Sequence, residues 1–197
     1  MACVTSLSVG LAGSCEAVKK VGGTFKEFWI GSVKDIDAIV LDATDKFIES
    51  ITMKTGKQMV KITGKLGKNT GAEPIEDEGE GNVAVYVHTV NGVLYHFTQA
   101  DRNAIEDIVS LDQAFIILPT QAKQFIAYGI SKDAETYQNY GLKVSGGDDP
   151  TGAAINDLNA QQITATGRMI NKAVIFGEGA TYADNLTALG VLAAPAV

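Results

Sequence analysis

Cysteine is nearly absent: Cys3 and Cys15 are the only two, both close to the N-terminus. One bridge between them would close a short loop, but two thiols do not make a disulfide framework. Idle or buried thiols in a reducing cytosol are the simpler reading. Proline is scarce as well, 4 residues against 21 glycines, a balance that predicts many tight turns and hence many short strands. Positive charge is in deficit: 16 Lys and Arg against 23 Asp and Glu leave a net charge of −7. Duplex binding rests on Lys and Arg neutralising phosphates, so that role is disfavoured. An acidic wall past which DNA slides without sticking remains compatible, through simple repulsion. No apolar run approaches the roughly 20 residues a membrane helix needs. The first 15 residues lack a basic n-region and are interrupted by Ser, Thr and Gly, which makes a poor signal peptide. The expectation is a soluble protein, cytoplasmic when made, with no membrane partner.

What is present is core-forming material. The 46% hydrophobic content argues for a folded domain rather than disorder. Residues 1–23, rich in Ser, Gly and Ala without a period, read as an N-terminal arm. Strands are expected at Thr24 to Ile30, Ile36 to Leu41, Lys46 to Met53 and Gln58 to Leu66. In the third, Phe47, Ile51 and Met53 share a face; in the fourth, Val60, Ile62 and Leu66 oppose Lys61 and Thr63. Gly64 to Asn82, with five Gly and one Pro, runs from basic to acidic and reads as a long projecting loop. Asn91-Gly92 between two β-rich runs predicts a type I′ hairpin, which would set Val90 opposite Val93 and His88 opposite Tyr95. Both faces of that hairpin carry apolar residues, as if one were covered by a second sheet or a neighbouring subunit. A helix capped by Thr98 follows, with Ala104, Ile105, Ile108 and Val109 as its apolar stripe. Further strands are expected at Ala114 to Leu118, Gln124 to Ile130, Gly141 to Ser145, Gln161 to Gly167 and Ala173 to Phe176. The last segment, Gly177 to Val197, has no firm period and reads as a C-terminal arm. The fold class is mainly β, sandwich- or barrel-like, with one flanking α-helix, a long projecting loop and extended terminal arms around an assembly domain at 24–176.

Catalytic and metal chemistry finds little purchase. By the hairpin register His88 and His96 point to opposite faces and cannot hold one ion, and no third ligand is near them in sequence. GKLGKNTG lacks the spacing of a phosphate loop and is followed by an acidic stretch instead of a helix. There is no G-x-S-x-G elbow. The paired carboxylates of Asp148-Asp149 and of the Glu76 to Glu80 run sit in Gly-rich polar loops where nothing would desolvate them, and a Ca²⁺ site at Asp148, Asp149 and Asp157 fits no specific motif. Turn formation explains the three aspartates better than a Ca²⁺ site. Trp29 and the other aromatics lie in apolar strands without basic interleaving, which favours core packing over base stacking. No catalytic residue, metal or cofactor is expected.

Ala114 to Gly167 carries a series of small, turn-forming motifs: Tyr128-Gly129, Gly141-Leu142-Lys143-Val144, Gly146-Gly147, Thr151-Gly152, Asp157-Leu158-Asn159 and Thr164-Ala165-Thr166-Gly167. In this order they resemble the C-terminal half of bacteriophage tail-tube-like virion proteins, over about a quarter of the chain. The resemblance implies a β-sandwich flanked by one helix, with a long loop and arms used in ring stacking. It implies self-association into stacked, usually hexameric rings, contact with other virion proteins, and DNA only as non-specific cargo in the lumen. The location would be the virion tail, after assembly in the bacterial host cytoplasm. Glu73, Glu76, Asp77, Glu78 and Glu80 are then the candidate assembly loop or charged surface. Met169 to Ala173 and the apolar tail depart from the family pattern, which leaves a head-completion ring, a connector or a capsid decoration protein as alternatives. A small-ligand-binding β-sandwich is the rival of another class. A hydrolase would show itself by a cleft holding His88 or His96 beside a carboxylate.

Overall fold

The computed structural model describes residues 23–44, 46–64, 67–76, 85–95, 98–133, 137–145, 160–177 and 180–193. In chain order the strands are β1 (Glu27–Ser32), β2 (Ile36–Leu41), β3 (Ile48–Met53), β4 (Val60–Thr63), β5 (Thr70–Ala72) and β6 (Ile75–Glu76). They continue with β7 (Val85–Tyr95), β8 (Ala114–Pro119), β9 (Phe125–Tyr128), β10 (Lys143–Val144), β11 (Ala160–Met169) and β12 (Val174–Phe176). The helices are α1 (Gln99–Val109) and α2 (Tyr182–Leu192). The fold is mainly β, as expected, and its curled sheets form a half-barrel.

One sheet has seven strands in the order β2-β3-β12-β9-β8-β1-β4; the other runs β10-β11-β7-β5, with β6 also pairing to β7. All pairings are antiparallel except β12 with β3. β8 shows why the larger sheet sits in the middle. All six of its residues are buried, the mark of a strand covered on both faces. Phe115 and Ile117 join a core with Trp29, Ile36, Phe125 and Phe176 on one face. Ala114, Ile116 and Leu118 join a second core with Phe28, Val90 and Ile163 on the other, between the two sheets. The period of two along the strand thus feeds two separate cores.

The Asn91-Gly92 hairpin is not formed. β7 runs straight through both residues and pairs with β11 over ten consecutive positions, Asn91 opposite Thr164 and Gly92 opposite Ile163. His88 therefore faces Gly167, not Tyr95. Tertiary pairing outweighs the local turn preference, and the residues serve other ends. A Cβ on Gly92 would lie 2.9 Å from the Phe28 ring, so glycine here admits an aromatic from the opposite sheet. Asn91 accepts a hydrogen bond from Thr164 Oγ1 (2.8 Å) and donates one to Thr70 Oγ1 (3.3 Å), lacing three strands.

The projecting loop expected from Gly64 is in part a sheet edge. β5 and β6 both pair with β7. Their anchor is buried Asn69: its Nδ2 donates to the carbonyls of Phe25 and Lys26, its Oδ1 accepts from Val93 N, and its own carbonyl accepts from Thr24 Oγ1. Polar residues that look unable to pack are held by hydrogen bonds instead. Residues 65, 66 and 77–82 of that segment lie outside the described residues.

α1 lies where it was expected, but only Ile105 and Ile108 are buried; Ala104 and Val109 face solvent. Residues 177–197 do not form an extended arm throughout, because α2 occupies Tyr182–Leu192. Thr181 and Asp184 form a reciprocal capping box, Leu189 is fully buried, and Tyr182 stacks on Phe25 and Phe125 with ring centroids 5.2 and 5.1 Å apart. The Thr181-x-x-Asp184 spacing was the available signal; the even spread of Ala and Leu hid it, since no single face is apolar. Loss of this cap in Thr181→Ala should cost about 1 kcal/mol, read as a lower urea midpoint with an unchanged slope.

Candidate assembly surface

The two ends of the seven-stranded sheet are β2 and β4, and each ends in a strand with one hydrogen-bonding side unpaired by any described strand. β4 was expected to hide Val60 and Ile62 together. Ile62 is buried, but Val60 is 41% exposed because its strand lies at the sheet edge. At the opposite end Val40 of β2 is 46% exposed. Charge differs between these ends. β2 carries exposed Asp37 and is followed by Asp42, whereas β4 carries Lys61 and is preceded by Lys57. The lysines are paired within the chain, Lys61 to Glu27 at 3.1 Å and Lys57 to Asp35 at 3.7 Å. Just before β4, Met59 N donates to Leu192 O and Met59 bridges Ala193, so the end of α2 meets the start of this edge.

Of the five acidic residues singled out in sequence, Glu73 and Glu76 are described and do different things. Glu73 turns inward: its Oε2 accepts from Ala173 N at 2.8 Å and stands 4.0 Å from His88 Nε2. Glu76, half-exposed on β6, accepts from Arg168 Nη2 at 2.7 Å across the sheet. Neighbouring Ile75 is 61% exposed. Asp77, Glu78 and Glu80 lie outside the described residues, as do Cys3, Cys15, His96, Asp148, Asp149 and Asp157. Val40 and Ile75 carry no signal in the sequence and Val60 reads there as a core position; alternation marks the two faces of a strand but not which strand lacks a neighbour.

A histidine beside a carboxylate is present, but not in a cleft. His88 is fully buried. Its Nδ1 accepts from Gly129 N at 3.2 Å, which fixes the proton on Nε2, and Nε2 donates to the Asn171 carbonyl at 2.9 Å. Burial lowers its pKa from 6.5, against the opposing pull of the Asn171 carbonyl and Glu73. Tyr128 meets the ring edge-on at 5.7 Å, and burial chiefly, then Glu73, pushes its phenol up to about 12. With both nitrogens engaged by backbone, this pair has no lone pair or proton left to offer a substrate as placed. Among the described residues, no group of three or more His, Cys, Asp and Glu is placed to hold a metal, and no helix is long and apolar enough to cross a membrane. A cleft of about 190 Å³, lined by Lys123, Phe125, Phe176 and Asn185 among others, lies where β9 and β12 meet the start of α2. That is below the range of about 300–1,000 Å³ typical of small-molecule sites. No family model, curated protein or solved structure matches this chain.

Proposed function

We propose that the chain is a structural subunit that assembles with copies of itself into stacked rings, in the manner of a bacteriophage tail tube, with DNA as passing cargo. The observation that carries this reading is that β2 and β4 end their sheet with no further strand among the described residues, with exposed Val40 on one and exposed Val60 on the other. Unpaired edges are an aggregation hazard that proteins normally cover. Head-to-tail pairing of β2 with β4 of the next copy would satisfy both edges at once, and a rotation that closes yields a ring. The resemblance of Ala114 to Gly167 to tail-tube-like proteins and the net charge of −7 support the same reading. Like charge keeps a channel wall from binding DNA.

Edge charges test it. Val40→Lys and Val60→Lys should each fold, because both side chains face outward, and each should lose the assembled state, since lysine on an edge blocks pairing. Mixed together, the two variants should form dimers and stop there. Each retains one intact edge, and the remaining pair sets lysine against lysine. Light scattering that finds either variant still forming large assemblies, or a mixture that yields no dimer, would exclude head-to-tail edge pairing.

A further inference from the structure

His88 joins three elements that are distant in sequence. It stands on β7 of the five-stranded sheet; Gly129 follows β9 of the seven-stranded sheet; Asn171 lies in the turn from β11 to β12. Glu73, from the link between β5 and β6, approaches Nε2 and also binds Ala173 N in that turn. We propose that His88 is an acid-sensitive pin between the two sheets, whose protonation breaks the bond to Gly129 and loosens the join. This goes beyond the assembly reading and holds for the single chain.

The chemistry follows from the ring's two nitrogens. Nε2 already carries the proton it donates to Asn171, so a second proton must add to the Nδ1 lone pair. That lone pair is the acceptor for Gly129 N–H. Once it is protonated, two donors face each other 3.2 Å apart, and Gly129 N loses its partner in a buried site. Gly129 cannot readily swing aside, because it sits at φ +83° against the Ala114 carbonyl and Leu142. The charged and titratable groups around the ring do not fully compensate. Glu73 faces it at 4.0 Å but from the Nε2 side. Tyr128 from β9 stays neutral through the range in question. On β11 the residue opposite is Gly167, while adjacent Arg168 is paired with Glu76. Lys172 lies beyond Asn171, over the Tyr86 ring on His88's own strand.

The direction with pH is fixed by the lowered pKa of the folded state. Below pH 6.5 the unfolded chain takes up the proton first. Stability is therefore full above that pH and falls as pH drops through it, by up to about tenfold in the folded-to-unfolded ratio per pH unit. Urea unfolding followed by the fluorescence of the one tryptophan, Trp29, from about pH 8 to 5.5 keeps clear of most carboxylates. The wild type should be flat above neutrality and lose stability below pH 6.5, with exchange protection of the Gly129 amide falling in parallel. His88→Gln, which retains an acceptor and a donor, should remove most of that slope. Glu73→Gln should prolong the loss to lower pH, because the carboxylate supports the protonated ring. If His88→Gln keeps the wild-type slope, the pin is not the origin. Should that variant fail to fold, the imidazole signals of the unaltered chain decide, with His96→Gln used to assign them. An Nε2-protonated ring titrating below 6.5 supports the proposal, and a ring titrating at or above it overturns it.

Discussion

Phe115→Ala should cost about 3–5 kcal/mol, the range for aromatic truncation in a core. Phe115 is fully buried on the central strand β8 and shares its core with Trp29, Met59, Ile117 and Phe125. Its ring lies directly over Gly31, its partner across the β1–β8 ladder: a Cβ on Gly31 would stand 2.7 Å from the ring. The void left by truncation is thus floored by backbone. Paired strands cannot move in to fill it, so the cavity persists and the cost stays high. For a chain of this size such a loss lowers the melting temperature by roughly 6–20 °C. Val109→Ala, on the exposed side of α1, should stay within about 0.5 kcal/mol under the same assay. A Phe115→Ala loss below that of the control would mean the β8 core is not where the structure puts it.

Gly129→Ala is expected to cost roughly 2–5 kcal/mol, the sum of two effects. The residue sits at φ +83°, where a side chain costs about 1–2 kcal/mol in conformation alone. A Cβ would also meet the Ala114 carbonyl at 2.7 Å and Leu142 Cγ at 2.8 Å, and overpacking of that kind costs about 1–3 kcal/mol. Gly56 separates the two terms. It has φ +76° with nothing within 4 Å of the added carbon, so Gly56→Ala should show the conformational term only. Denaturant midpoints of the two variants measure the difference directly. Equal losses would remove the close approach of Leu142 and Ala114 from the account.

Gly129 is also instructive about what a sequence displays. Tyr128-Gly129 reads in the sequence as an aromatic-glycine step, and the structure shows its physics: a left-handed turn in which only glycine clears the neighbouring strand. The apolar run Ala114 to Leu118, the strand at Ile36 to Leu41 and the helix after Thr98 were all legible, because each expresses a period or an uninterrupted burial demand. Asn91-Gly92 misled, because turn preference is local whereas ten residues of pairing with β11 are not. Thr70 to Glu76 misled in the opposite sense: their place depends on hydrogen bonds to Asn69 and on β7, neither of which composition reveals. α2 was hidden by an even apolar spread with only the Thr181–Asp184 box to announce it.

The candidate surface was legible only in part. The acidic run drew notice by charge, yet Glu73 is spent inside the chain on Ala173 and His88. Val40 and Val60 stand exposed at the sheet ends because of strand order, which sequence periodicity does not carry. Edge status is a property of topology: β4 is terminal because β1 pairs on its other side with β8, whose residues lie 82 to 88 positions further along the chain.

The most direct test of self-assembly is the mass of the purified full-length chain by light scattering, with negative-stain electron microscopy of the same sample. Closed rings or stacked hollow tubes are the expected result. A monodisperse monomer at high concentration after long incubation, with both termini intact, would contradict it.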